Sequence, residues 1–172
     1  MTLQEIESLI VDVPDFPKPG IVFKDITPLL ANPRAFKSTI EHLAERSPPR
    51  VDGILAIESR GFVFGAALAQ LLSLPLQLVR KRGKLPRESI SIRYELEYGF
   101  DHLEVHTDAV RPGGRYVIVD DVIATGGTAA AASKLVAEQQ GTTAACLFVL
   151  ELTFLNGRAA LGGLPIESLI EV

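Results

Sequence analysis

The sequence predicts an α/β protein, a mainly parallel twisted sheet flanked by helices, and three observations carry that expectation. Val117-Ile118-Val119 is a β-branched run of the kind buried on both faces of a parallel sheet. It leads through two aspartates and a small-residue turn into Ala129-Ala130-Ala131-Ala132-Ser133-Lys134-Leu135, a run of good helix formers. Gly53-Ile54-Leu55-Ala56-Ile57 repeats the pattern, passing through Glu58-Ser59-Arg60-Gly61 into an apolar helix from about Phe62 to Leu72. Strand, loop, helix therefore occurs twice. In open α/β sheets, ligands bind at the carboxyl ends of strands, in such loops.

Bulk properties set the bounds. A chain of 172 residues fits a single domain spanning 1–172, long enough to bury roughly two-thirds of its unfolded surface. A net charge of −4 argues against non-specific binding to nucleic acid or to an anionic membrane. No apolar run approaches the ~20 residues that span a bilayer. The N-terminus lacks the basic region and apolar core of a secretory signal, so a cytoplasmic protein is expected. The single cysteine, Cys146, sits in an apolar run and reads as a small buried hydrophobe.

Along the chain, Thr2-Leu3-Gln4-Glu5 has capping-box form, and Leu3, Ile6, Leu9 and Ile10 follow at helical spacing, predicting a short N-terminal helix. Val13 to Gly20, with three prolines and a glycine, should break regular structure as a stiff extended segment. Asn32-Pro33 supplies an N-cap and first-turn proline for a helix to about Arg46. His42 on that helix reads as a surface or interface residue. Leu76-Gln77-Leu78-Val79 is a third strand, entering a cluster of five cations between Arg80 and Arg87. A polar, glycine-punctuated stretch then runs to residue 115, and its His102 and His106 show no metal-ligand spacing. Ala144 to Leu150 is a core strand, a short helical stretch follows Glu151-Leu152-Thr153, and Ile166 to Val172 closes the sheet.

The chemistry concentrates between Asp120 and Thr128. Gly126 and Gly127 allow a tight turn and close approach to a ligand, since neither carries a Cβ. Thr125 and Thr128 offer hydroxyls, and the helix that follows points its first amides into the turn, which suits a phosphate. Asp120 and Asp121 have the wrong sign for phosphate and suit vicinal hydroxyls instead. Together they predict a phosphorylated sugar. A P-loop and a G-x-G-x-x-G dinucleotide fingerprint are both absent.

This stretch resembles the phosphoribosyl pyrophosphate motif of the type I phosphoribosyltransferases. The resemblance implies that fold with a small N-terminal hood, about residues 12–28. It assigns Asp120 and Asp121 to the ribose hydroxyls, with Val122 beside them, and Ala124, Thr125, Gly126, Gly127 and Thr128 to the 5′-phosphate. The segment from Phe16 to Pro28 resembles one characteristic of the adenine phosphoribosyltransferases. There, backbone groups near Val22 and Lys24 would read the adenine edge while Phe23 stacks on the ring, and base stacking is worth about 1–3 kcal/mol.

The Glu58-Ser59-Arg60-Gly61 turn resembles the family's pyrophosphate loop, in which the peptide bond beside the arginine's neighbour is often cis, and Arg60 would bind pyrophosphate. Arg80 and Lys84 match basic residues that contact pyrophosphate, partly across the boundary of a homodimer. Tyr94-Glu95-Leu96-Glu97-Tyr98-Gly99 resembles the flexible catalytic loop, about 81–106. In it Glu97 would assist proton transfer at the base and Tyr98 would close the site. A lid of this kind keeps water from an oxocarbenium-like carbon. By this resemblance adenine and phosphoribosyl pyrophosphate become AMP and pyrophosphate, with Mg²⁺ carried mainly by substrate oxygens.

Two alternatives stay open on the sequence. One is a sister enzyme using another purine, against which residues 21–28 speak. The other is a non-catalytic sensor of the same cosubstrate, which would carry an appended DNA-binding domain for which the short N-terminus leaves no room.

Overall fold

The computed structural model describes residues 1–95 and 99–172. In chain order the elements are α1 (Leu3–Glu7), β1 (Val11–Pro14), β2 (Val22–Asp25), α2 (Thr27–Ala31), α3 (Pro33–Arg46), β3 (Gly53–Ile57), α4 (Gly61–Leu72) and β4 (Leu76–Lys81). They continue with β5 (Ser89–Glu95), β6 (Phe100–His106), β7 (Arg115–Ile123), α5 (Gly127–Glu138), β8 (Thr142–Glu151), two 3₁₀ turns (Thr153–Leu155 and Gly157–Leu161) and β9 (Ile166–Glu171).

Seven strands form one sheet in the order β5-β6-β4-β3-β7-β8-β9. From β4 to β9 the pairing is parallel, while β6 is antiparallel to both β4 and β5. The expected parallel sheet therefore carries an antiparallel hairpin on one edge. Alternation along the strands builds two cores. Leu55, Ile57, Ile118, Cys146 and Phe148 face α5, whereas Ile54, Val117, Val119, Ala145 and Leu147 face α3 and α4. Gly65 lets α4 lie directly against Ala56 of β3, where any Cβ would collide. Phe64 and Leu68 on α4 are fully buried, each worth about 1.5–3 kcal/mol relative to exposure.

The caps behave as their residue types require. Thr2 and Glu5 form the capping box, and Asn32 Oδ1 accepts the amides of Arg34 and Ala35, both at 3.1 Å. α1 nevertheless ends at Glu7, so the helical spacing of Leu9 and Ile10 does not extend it. The expectation of no regular structure from Val13 to Gly20 is corrected at its start. Val13 and Pro14 belong to β1, which pairs with β2 as a two-stranded antiparallel ribbon, and an isolated ribbon tolerates a proline at its end. This ribbon is the hood. β4 also runs two residues further than expected, drawing Arg80 and Lys81 out of the basic loop into the strand.

Candidate active site

β3 starts the sheet's central pair, the chain winds outward to β4, and it later returns to place β7 on the other side of β3. The strand order thus reverses between β3 and β7, the switch point at which open α/β sheets bind ligands. A cavity of about 410 Å³ opens there, lined by the β3 loop, by residues 120–126, and by Thr128 and Ala129 of α5. β5 and β6 contribute Tyr94 and Asp101, and β4 contributes Lys81.

The two loops interlock. Gly61 opens α4 against Asp120: a Cβ there would stand 2.8 Å from Asp120 Oδ1 and 2.9 Å from the Val119 carbonyl. Arg60, at the same helix start, brings Nε to 2.7 Å from Asp121 Oδ2. The Glu58–Ser59 peptide is cis, matching the form expected beside this arginine. On its other side the Arg60 guanidinium lies 5.0 Å from the centroid of Phe23 in the hood, whose ring meets Phe16 edge-on at 5.2 Å. One side chain thereby links the hood to the carboxylate pair.

Asp120 and Asp121 sit side by side, and Asp120 Oδ1 accepts the Asp121 amide at 2.9 Å. Burial pushes both carboxyls up, and the neighbouring Asp121 charge pushes Asp120 further; Arg60 opposes this at both. Such a floor of crowded negative charge is well matched to hydroxyl donors or a cation. Past it, Gly126 turns with φ at 80° and its carbonyl accepts the Ala130 amide. The amides of residues 127–129 precede the first helical bond and face the loop, where an anion satisfies them.

The structure gathers Arg60, Asp120, Asp121, Val122, Ala124, Thr125, Gly126 and Thr128 around the cavity. Gly127 opens α5 and borders a second hollow on the Arg93 and Lys134 side. Val22, Phe23 and Lys24 lie on the hood outside the cavity lining, Val22 half exposed and Lys24 ion-paired with Asp12 at 2.6 Å. Arg80 turns to Glu58 (Nε to Oε2, 3.2 Å) and to the carbonyl of Lys84, which is itself exposed. Glu97 and Tyr98 lie outside the described residues; the strands flanking them form the β5–β6 hairpin.

Four ionisable lining residues escaped the sequence reading. Glu58 accepts the Lys81 amide and the Arg80 guanidinium, which outweigh its burial and hold its carboxyl below the usual range. Lys81 and Asp101 form a 3.1 Å ion pair at the rim, and the hydrogen bond between them raises the Lys81 ammonium. Burial raises the Tyr94 phenol, and the neighbouring Thr128 opposes that shift. All four depend on long-range pairings, for which the local sequence carries no periodic signal. Among the described residues, no cluster of three or more His, Cys, Asp or Glu side chains is placed to hold a metal ion, and no helix is long and apolar enough to cross a membrane.

Fold and site define a class of α/β protein in which a strand-end carboxylate pair and an amide-rich turn face one pocket at the switch point. Residues 27–151 match the phosphoribosyl transferase domain family. The adenine phosphoribosyltransferase of Carboxydothermus hydrogenoformans is 54% identical over 97% of this chain and 99% of its own. The crystal structure of the Thermoanaerobacter pseudethanolicus adenine phosphoribosyltransferase superposes with a TM-score of 0.97 at 53% identity, covering 99% of this chain and 100% of that one. A Saccharomyces cerevisiae adenine phosphoribosyltransferase, crystallised with adenine and an imino-altritol bisphosphate, gives 0.91 at 42% identity over 97% of each chain. The chain belongs to the phosphoribosyl transferase family, among its adenine phosphoribosyltransferases.

Proposed function

We propose that the protein transfers the phosphoribosyl group of phosphoribosyl pyrophosphate to adenine, giving AMP and pyrophosphate in purine salvage. The observation that carries this reading is the Phe23–Arg60–Asp121 bridge, which joins the aromatic hood to a cation and a carboxylate that line the cavity. Residues 124–128 hold the 5′-phosphate on loop amides and threonine hydroxyls. Asp120 and Asp121 accept the ribose hydroxyls, and Arg60 turns from Asp121 to the pyrophosphate.

The adenine N9 lone pair forms the bond to C1 as the bond from C1 to the pyrophosphate oxygen breaks. The electron pair leaves with pyrophosphate, and the proton on the base passes to Glu97. Positioning and charge stabilisation supply most of the acceleration. Mg²⁺, when bound, would supply neutralisation of the pyrophosphate charge; Asp120 and Asp121 at the cavity floor would hold it through its waters, with substrate oxygens as its main ligands.

The exposed stripe Val63, Ala66 and Leu71 on α4 supports a homodimer, in which Arg80 and Lys84 approach the partner's site. A cytoplasmic location is part of this reading, and the net charge of −4 argues against non-specific binding to nucleic acid or to an anionic membrane.

The test is AMP formation from radiolabelled adenine with phosphoribosyl pyrophosphate and Mg²⁺, beside hypoxanthine and guanine. Adenine-only turnover is expected. Turnover with another base alone discards the reading of Val22 to Lys24, and silence with all three from protein that binds the cosubstrate favours a sensor. Glu97→Ala should lower turnover about 10²-fold or more while leaving cosubstrate affinity nearly unchanged; intact turnover removes its catalytic role.

A further inference from the structure

Behind the phosphate loop lies a buried charge that the reaction does not use. Glu151 ends β8 and pairs with Ile123 at the end of β7, immediately before the loop. Its side chain is 6% exposed and takes no part in lining the cavity. Oε1 accepts Arg158 Nε at 2.8 Å, while Oε2 accepts Arg158 Nη2 at 2.6 Å and Ser168 Oγ at 2.7 Å. Arg158 Nη1 adds the Ile166 carbonyl at 3.2 Å. These contacts tie the turn Gly157–Leu161 to the ends of β8 and β9.

That turn is the backing of the loop. A Cβ on Gly126 would collide with the Gly157 carbonyl oxygen and stand 3.0 Å from Ala160 Cβ. One on Gly157 would collide with the Ala124 carbonyl oxygen and stand 2.9 Å from Ile123. Leu161, at the far end of the turn, is buried in the core that includes Ile123 and Ala129. The nearest neighbour of each glycine is therefore a backbone carbonyl of the other segment, which leaves little room for a shift. A buried ion pair is weak evidence for stability, since apolar residues of similar volume often serve as well; its directional bonds fix geometry instead.

We propose that the Glu151–Arg158–Ser168 clamp positions the 5′-phosphate loop, by holding Gly157 against Ala124 and Gly126 and so setting the direction of the loop amides. The inference rests on residues 124–128 being that loop. Glu151, Arg158 and Ser168 lie outside the cavity lining and act through the turn Gly157–Leu161. Small displacements of a binding loop from a remote substitution are costly to affinity. The expected signature is selective: contacts to the 5′-phosphate weaken, and those to pyrophosphate at the Arg60 loop do not.

The experiment titrates ribose 5-phosphate and pyrophosphate separately into the parent protein and into Glu151→Gln, Arg158→Lys and Ser168→Ala. In Glu151→Gln and Arg158→Lys the Kd for ribose 5-phosphate should rise about tenfold while that for pyrophosphate stays within about twofold. Ser168→Ala, which removes one bond of the clamp, should move the same way by less and decides the matter if the charge variants do not fold. In turnover, KM for phosphoribosyl pyrophosphate rises and KM for adenine holds. Equal weakening of both ligands, or unchanged ribose 5-phosphate affinity in folded variants, overturns the clamp. A parent that binds pyrophosphate but not ribose 5-phosphate removes the loop assignment itself, and the clamp's role with it.

Discussion

β3 and β7 lie side by side, and each ends in a loop that enters a helix, α4 on one face of the sheet and α5 on the other. The topology is the same; the loops are opposite in character. After β3 the chain offers Arg60 at the helix start, behind a cis peptide and a carboxylate committed to Arg80. After β7 it offers two crowded carboxylates, then glycines, threonines and helix amides. One fold feature thus supplies two subsites, and the residues at the loop decide which part of the ligand each receives. Position belongs to the sheet, and chemistry to a handful of side chains.

The largest test of that division removes the β7 charge. Replacing Asp120 and Asp121 together with Ala deletes charge-assisted hydrogen bonds worth about 1.5–3 kcal/mol each, so cosubstrate affinity should fall about 10²- to 10⁴-fold, read by titration with phosphoribosyl pyrophosphate. Unchanged affinity would sink the ribose assignment.

Arg60→Ala removes the other loop's cation. Pyrophosphate affinity should fall about tenfold to a hundredfold while ribose 5-phosphate binding changes little. Because Asp121 then lacks its 2.7 Å partner, thermal stability should fall as well. If ribose 5-phosphate weakens as much as pyrophosphate, the loops do not divide the ligand.

Gly61→Ala asks whether the loops depend on each other. The new methyl would press on Asp120 Oδ1 and the Val119 carbonyl, and overpacking of this kind costs about 1–3 kcal/mol. Both ligands should weaken together, alongside a lower midpoint of thermal unfolding. A loss confined to one ligand would mean that the loops are independent.

The contrast also explains how much was legible in the sequence. The β7 crossover is local: strand, carboxylates, glycines and helix occupy consecutive residues from Val117 to Leu135, and each type announces its role. Asn32 and the Thr2 capping box are local in the same sense. The β3 crossover was legible as topology, but its partners were not, because Glu58–Arg80 and Arg60–Phe23 join residues distant in sequence. The same holds for Tyr94 with Thr128 and for the Glu151–Arg158 clamp. α2 was missed because Thr27-Pro28 reads as the end of the hood, although a proline is favoured in a helix's first turn. β1 was missed because two-stranded pairing tolerates a proline that a central strand would refuse.

The smallest effect concerns the state without ligand. Burial and the adjacent Asp121 charge raise the Asp120 carboxyl in the folded protein. A carboxyl raised on folding favours the native state while it is protonated, at pH below its unfolded value, and that contribution is lost as pH rises through the folded value. At neutral pH the protein then carries a crowded charge that Arg60 relieves in part and a ligand relieves further. Asp120→Asn keeps an oxygen for the Asp121 amide and deletes the charge. It should raise stability at pH 7–8 by about 1 kcal/mol, a shift of about 2–4 °C in Tm for a chain of this size, while weakening the cosubstrate. As pH falls through the raised folded value the parent's carboxyl takes up its own proton, and the two midpoints should converge by the usual aspartate range. A parent as stable as the variant at pH 8 would mean that its carboxylates are already satisfied without ligand, and the β7 loop would lose the strained charge that sets it apart from the β3 loop.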